Sequence, residues 1–177
     1  SNPFIHTLKQ LSSEKRFIYL LRTKGNFSYH DLETIMIRHR DEISLSLTEA
    51  REFLRISLTT EPSIPFLQEA ELCPMVYKYL SPYLDNELNA LNIIDIEKHL
   101  LNCDKCLQLL ANHQYIQKQI NNLHLISEKE FLSYFQSENT LRTKQKIINR
   151  LENSHTNTRK NNRFRLFSLL WNFIRRK

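Results

Sequence analysis

The sequence feature that most constrains the fold is a cluster of histidine and cysteine residues. His99, Cys103 and Cys106 follow one another in a His-x3-Cys-x2-Cys pattern, and the remaining cysteine of the chain is Cys73. Three thiolates and one imidazole form a common closed ligand set for structural zinc. Residues four apart lie on one face of a helix, so we expect His99 and Cys103 to present together from a single helix. The pattern predicts Zn²⁺ held by all four residues.

This ligand set argues against catalysis. A catalytic zinc site keeps one position for water or substrate, whereas four protein ligands fill the tetrahedron. The sequence also shows no phosphate-binding loop and no pattern typical of a nucleophile or paired carboxylates. We therefore do not expect an enzyme. Whether the zinc is only structural or also responds to oxidants stays open at this stage, because oxidised thiolates release their metal.

The segment between Cys73 and Cys106 has the pattern of a helical hairpin. Apolar residues recur at helical spacing in residues 76–84 and again in residues 93–100. Between these two runs stands a polar break formed by residues 85–87. We expect two antiparallel helices that the metal ties together.

Composition favours an all-α protein. The 177 residues include one glycine and five prolines, whereas β-hairpins and barrels use glycine freely. Hydrophobic residues make up 41% of the chain, which supports a packed core. Cysteines used as metal ligands are typical of a reducing compartment, and no apolar run in the sequence is long enough to span a bilayer. We therefore expect a cytoplasmic protein.

Residues 1–57 have the plan of a helix-turn-helix domain of three or four helices. Ser12 or Ser13 can cap a helix that stops near Gly25, and Ser28 can cap a shorter second helix. A third, amphipathic helix is predicted over about residues 41–56. In such a domain the last helix enters the major groove of DNA.

Candidate DNA contacts lie at the start of this third helix. They are Arg38, His39, Arg40 and Ser44, although a solvated turn explains the first three equally well. Two acidic residues follow Arg40 directly, and contacts to phosphates supply most of the affinity for DNA. We therefore expect this domain to bind promoter DNA only weakly by itself.

The rest of the chain divides by composition. Two prolines mark residues 58–66 as a linker, and residues 67–153 are predicted to form the zinc-binding helical domain. Within that domain further helices are predicted over residues 127–136 and 140–151. Polar residues 154–163 have the composition of a flexible tether.

The end of the chain, residues 164–177, has the pattern of a basic amphipathic helix. Residues 141–177 hold 11 Lys or Arg residues and a single acid, Glu152. The apolar run is too short to span a bilayer, but it suits the inner face of a membrane or a groove on a partner, and less well nucleic acid. The candidate contacts are Trp171, Phe173, Arg175 and Arg176.

Residues 70–110 resemble the zinc-binding anti-sigma domain of bacteria. The resemblance rests on Cys73, on Tyr-Leu-Asp-Asn-Glu-Leu at residues 83–88 and on the ligand cluster at residues 99–106. Asn86 stands where that family has glycine, and asparagine also tolerates a turn. The resemblance implies a module that binds a sigma factor and withholds it from RNA polymerase. It also implies that a helix after the zinc bundle, here residues 127–136, grips the sigma factor or packs on the bundle.

Residues 8–56 resemble region 4 of extracytoplasmic-function sigma factors. The resemblance rests on Leu-Leu-Arg at residues 20–22, Phe-Ser-Tyr-His-Asp-Leu at residues 27–32 and Leu-Thr-Glu-Ala-Arg-Glu-Phe-Leu-Arg at residues 47–55. It implies a domain that binds promoter DNA through its third helix and docks on RNA polymerase. Ile37 stands where that family commonly has glycine in the bend.

Together the two resemblances imply a regulator of transcription initiation. We expect the zinc bundle to clasp the sigma-like domain, either within the chain or in a second copy. The alternative is a sigma-type helix-turn-helix transcription factor whose zinc domain supports the fold or dimerises it, and a third possibility is a scaffold that tethers a sigma factor to the membrane. The expected partners are therefore a sigma factor or RNA polymerase, with promoter DNA, the membrane surface and a homodimer as further candidates.

Overall fold

The computed structural model describes residues 3–58 and 73–122, together with Ser127, and the residues that it describes form α-helices and no strand. This confirms the predicted all-α class. The helices, in chain order, are α1 (Pro3–Gln10), α2 (Ser13–Thr23), α3 (Tyr29–Met36), α4 (Arg40–Leu58), α5 (Pro74–Leu84), α6 (Ala90–Leu100) and α7 (Asp104–Asn122).

Several predicted segments lie outside the described residues. They are most of the linker, the helices predicted after residue 127, the tether, and the terminal helix with Trp171, Phe173, Arg175 and Arg176. Among the described helices none is both long and apolar enough to cross a membrane.

The boundaries of α2 and α3 follow from local capping. The Ser12 hydroxyl accepts a hydrogen bond from the Lys15 N–H, and Ser28 and Asp31 cap each other reciprocally at the start of α3. After α2 the chain turns at Gly25 and Asn26, and Asn26 has a left-handed φ of 54°. A Cβ on Gly25 would lie 2.7 Å from the Leu21 carbonyl oxygen, so this position has no room for a side chain.

The bend between α3 and α4 holds an unusual residue. Ile37 follows α3 in the left-handed region, with φ 51° and ψ 52°, and its backbone N–H donates to the Glu33 carbonyl. A β-branched side chain is disfavoured in that region. Because Ile37 is 59% exposed, packing contributes little to offset this strain.

Helices α1 to α4 pack around one hydrophobic core. Its fully buried members include Leu8, Leu21, Leu32, Leu47 and Leu54. The same core also takes in two residues from the far end of α7, Ile116 and Ile120. The N-terminal helices and the zinc-binding segment therefore share buried apolar surface.

Helices α5, α6 and α7 pack around a second, smaller core. Val76, Leu80, Ile96, Leu100 and Leu109 are buried in it, and Cys73, Cys103 and Cys106 lie at its edge or within it. The predicted hairpin is present, because α5 and α6 are joined by the short connection of residues 85–89. Yet α5 packs more extensively against α4 than against α6 or α7. This arrangement sets the zinc-binding segment directly on the N-terminal helices.

Candidate metal centre and the interface beside it

The four predicted ligands meet at one point. The side-chain donor atoms of Cys73, His99, Cys103 and Cys106 all lie within 4.8 Å of one another. Cys106 is buried, and the other three are half-buried. Four donors at such distances can surround a single ion as a tetrahedral set.

Helix ends bring these four side chains together. Cys73 directly precedes α5, which begins at Pro74, and proline is favoured at the first position of a helix. His99 lies in the last turn of α6, Cys103 directly precedes α7, and Cys106 lies in its first turn. Each ligand is therefore held by a helix terminus.

The expectation that His99 and Cys103 share one helix is wrong. Helix α6 ends at Leu100, before Cys103 is reached. The backbone N–H of Asn102 donates to the His99 carbonyl at 2.9 Å, and its side-chain amide donates to the Lys98 carbonyl at 2.8 Å. These bonds satisfy carbonyls at the end of the helix and let the chain turn, so a new helix starts at Asp104.

The chemistry of the donors fits a zinc ion. The Nε2 atom of His99 is buried and has no hydrogen-bond partner among the described residues, which leaves it free to ligate. A hydrogen bond from the backbone N–H of Cys106 lowers the pKa of Cys103 to about 7. Burial raises the pKa of Cys106 to about 12. A cation among these thiols would offset that burial penalty, because cysteine binds zinc as thiolate.

Comparison with known proteins supports this identification. Residues 73–107, less than half of the chain, match the protein family described as "Putative zinc-finger". Domains of this family are typical of anti-sigma factors, which suggests a regulatory role. Searches of curated proteins and of solved structures gave no match. The family match and the Cys/His cluster together identify a zinc-binding module, and the likeness of the N-terminal helices to sigma region 4 stays a prediction.

The turn between α5 and α6 fills a pocket on the N-terminal helices. We call residues 85–87 the acidic turn. The Asp85 carboxylate accepts hydrogen bonds from Arg51 Nη2 at 2.8 and 3.0 Å, from Arg22 Nε at 3.0 Å and from the Tyr29 hydroxyl at 3.0 Å. Three side chains from three different helices thus converge on one carboxylate.

Glu87 occupies the other half of this pocket. Its carboxylate accepts from Arg22 Nη1 at 2.8 Å and from the Tyr29 backbone N–H, at the N-terminus of α3, at 2.8 Å. The Glu87 carbonyl accepts a hydrogen bond from Arg40. The guanidinium carbons of Arg22 and Arg40 lie 5.4 and 5.1 Å from the centroid of the Tyr29 ring. We call Arg22, Tyr29, Arg40 and Arg51 the arginine pocket.

Burial makes the charges in this pocket depend on one another. The Arg51 side chain is only 3% exposed, and burial disfavours its charge, but the Asp85 carboxylate outweighs that effect and raises the pKa of Arg51. Burial and Asp85 together raise the pKa of Tyr29 well above its ordinary value, so the phenol stays protonated and donates. An arginine buried this deeply would be strongly destabilising without its carboxylate partner.

The candidate DNA contacts separate into two groups. Arg38 and His39 are exposed, and Arg38 Nε donates to Glu14 at 3.2 Å. Arg40 is half-buried and engaged by the acidic turn, and Ser44 is buried with its hydroxyl donating to the Lys78 carbonyl on α5. One turn further along, the Thr48 hydroxyl donates to Ser81 Oγ at 3.0 Å. Helix α5 therefore covers the first half of α4.

A second set of polar contacts connects α4 with α7, and we call it the His113 joint. Glu52 accepts from Arg55 Nε and Nη2 at 2.9 and 2.6 Å, and its Oε2 lies 2.7 Å from Nε2 of His113. His113 Nδ1 is buried and has no partner among the described residues. Burial lowers the pKa of His113 despite the nearby carboxylate. The hydrogen bonds of His113 and Arg55 outweigh burial and lower the pKa of Glu52 to about 2.

The sequence pattern did not predict the contacts of the arginine pocket or of the His113 joint. Residues 85–87 stood out as a break between helices and as part of the family resemblance, and no role was predicted for the side chains of Arg22, Arg51, Glu52 or His113. One signal was available: Arg51 directly follows the apolar position Ala50 and Arg55 directly follows Leu54, so both lie beside the face that an amphipathic helix turns to its core. Charged residues there are expected to be paired when buried.

Proposed function

We propose that this protein regulates transcription initiation by holding its own N-terminal domain in a closed state. In this proposal the zinc-binding module acts as an anti-sigma domain, and helices α1 to α4 act as its sigma region 4-like target. The observation that carries the proposal is that α5 and the acidic turn pack over the first half of α4. In a helix-turn-helix domain that part of the last helix faces DNA.

The character of this interface supports the proposal. Its central contacts pair buried charges with good geometry, as between Arg51 and Asp85. Breaking such a pair costs about 3–5 kcal/mol, whereas exposed ion pairs contribute about 1 kcal/mol or less. Lys78 and Asp41, at 2.6 Å, belong to the second kind. The closed state is thus held by a few buried contacts that must all be released to uncover α4.

The alternative, a helix-turn-helix transcription factor with a purely structural zinc domain, is less well supported. It requires the start of α4 to be free for DNA, and Arg40 and Ser44 are engaged by the zinc module instead. We further propose that the protein is not an enzyme, that it acts in the cytoplasm, and that RNA polymerase is the partner from which the closed state withholds the domain.

The test is capture of core RNA polymerase by the full-length, zinc-bound protein. Ser81→Arg inserts a long cation where Ser81, fully buried, faces Thr48 on α4. We expect this variant to release α5 from α4 and to bind polymerase at least about tenfold more tightly, the equivalent of about 1.4 kcal/mol. Lys78→Glu, which sets a second carboxylate opposite Asp41, is a milder variant expected to act in the same direction.

Ser57→Arg is the matched control, because Ser57 lies exposed near the end of α4, and it should behave as the wild type. Hydrogen exchange of the α4 amides reports whether α5 has been released. If the released variants bind polymerase no better than the wild type, the proposal is wrong.

A further inference from the structure

The arginine pocket is built from groups that suit any oxyanion. Arg22 and Arg51 present guanidinium groups, and the Tyr29 backbone N–H lies at the N-terminus of α3, where the helix dipole favours negative charge. Planar guanidinium groups hold carboxylates and phosphates alike through paired hydrogen bonds. The pocket belongs wholly to the N-terminal helices, while both carboxylates that fill it come from the zinc module.

The arginine pocket contains a hydrogen-bond donor that the acidic turn does not use. Arg51 Nε is buried and has no hydrogen-bond partner among the described residues. Arg22 and Arg51 bind the carboxylates of the acidic turn, whereas Arg40 donates to the Glu87 carbonyl. A further acid, Glu33, lies 4.0 Å from Arg40 Nη1. Departure of the acidic turn would leave three arginines with one carboxylate, that of Glu33, so the pocket would attract another anion.

We propose that the arginine pocket is a binding site for a backbone phosphate of nucleic acid. Asp85 and Glu87 occupy it as carboxylate substitutes for phosphate while the zinc module is docked. This inference rests on the proposed function, because a phosphate can enter only when the acidic turn leaves.

The position of the pocket favours nucleic acid over an acidic protein segment. In helix-turn-helix domains the first of the two helices crosses the DNA backbone, and the start of the second faces the bases. Here the pocket lies at the N-terminus of α3, and Arg40 and Ser44 follow at the start of α4. The zinc module covers both regions at once, so one docking event blocks the phosphate site and the groove-facing residues together.

The experiment measures binding of a short DNA duplex of arbitrary sequence to full-length, zinc-bound protein by fluorescence anisotropy at several salt concentrations. The variant Asp85→Ala/Glu87→Ala removes both carboxylates from the pocket. It is expected to bind the duplex about tenfold more tightly than the wild type. Its salt dependence should be steeper by about one unit of log–log slope, as one additional phosphate contact requires.

Two further variants isolate the pocket. Asp95→Ala/Glu97→Ala removes the same two charges from exposed positions of α6 and should leave duplex affinity at the wild-type value. Adding Arg22→Gln to the pocket variant should cancel the gain. Equal tightening by the α6 variant, or a gain that survives Arg22→Gln, would overturn the inference, as would the absence of any gain.

A polyglutamate peptide tests the other class of ligand. Tighter binding of that peptide without tighter binding of the duplex would overturn the assignment to nucleic acid. The proposed function and the phosphate site can be disproved independently. Polymerase capture by Ser81→Arg together with no duplex gain contradicts only the pocket, whereas a duplex gain without polymerase capture contradicts only the proposed function.

Discussion

At the scale of single residues, two positions adopt the same left-handed backbone conformation with different amounts of strain. Asn86 and Ile37 both have left-handed backbones, with φ of 55° and 51°. Asparagine visits this region readily, whereas a β-branched residue does so only under strain. The acidic turn is therefore relaxed at Asn86, and the bend before α4 stores strain at Ile37.

This difference predicts the effect of glycine at each site. Ile37→Gly should raise the free energy of unfolding by about 1 kcal/mol, because the strain of the left-handed conformation disappears and little buried surface is lost. Asn86→Gly should change it by less than about 0.5 kcal/mol. Urea denaturation of the zinc-bound protein measures both. Destabilisation by Ile37→Gly would show that the isoleucine side chain has a stabilising contact that outweighs the strain.

At the scale of elements, α7 is the structural connection between the two cores. Its first turn carries the zinc ligand Cys106, its middle carries His113 against Glu52 of α4, and Ile116 and Ile120 further along are buried in the N-terminal core. Full burial of one such isoleucine contributes about 1.5–3 kcal/mol. The helix therefore couples the metal site to α4 by continuous packing.

The His113 joint predicts a pH dependence of stability. Burial holds the folded pKa of His113 below its ordinary value of 6.5, so the unfolded chain takes up the proton first as the pH falls. Stability attributable to this residue is complete above pH 6.5 and is lost as the pH falls below it. Glu52, with a folded pKa of about 2 against an ordinary value of 4.5, adds a further loss as the pH falls below 4.5.

The groups that face His113 are Glu52, Arg51 and Arg55. Denaturation between pH 7 and 5 should give a slope for the wild type that exceeds that of His113→Gln by at most about 1.4 kcal/mol per pH unit. Proton-linked loss of zinc affects both proteins and cancels in the comparison. His30→Gln, at an exposed site, should keep the wild-type slope. Parallel slopes for wild type and His113→Gln would contradict the assignment.

At the scale of the whole molecule, α7 has the zinc ligands at one end and packing shared with the N-terminal core at the other. Structural zinc sites contribute folding free energy directly. Because α7 passes from the zinc site into the N-terminal core, loss of the metal should also destabilise the N-terminal helices. The two cores are expected to unfold in one cooperative transition in the zinc-bound protein.

Chelation or Cys103→Ser should therefore lower the helical circular dichroism signal and reduce amide protection in α5 to α7 and in α4. Re-addition of zinc should restore the chelated wild type but not Cys103→Ser. His6→Gln, an exposed histidine of α1, should retain full helicity. A full signal in metal-free protein would show that the bundle does not need zinc to fold.

The sequence by itself determined the helical class, the cap at Ser28, a serine cap at Ser12 or Ser13, and the four zinc ligands, because these depend on local propensity and on the short spacing of donor side chains. Only the tertiary structure decided that α6 ends before Cys103, and that Asp85 and Glu87 meet Arg22 and Arg51. Those pairs join residues more than 30 positions apart, and a charged residue carries no local sign of its distant partner. Whether a polar side chain faces water or a buried counter-charge is set by how helices pack.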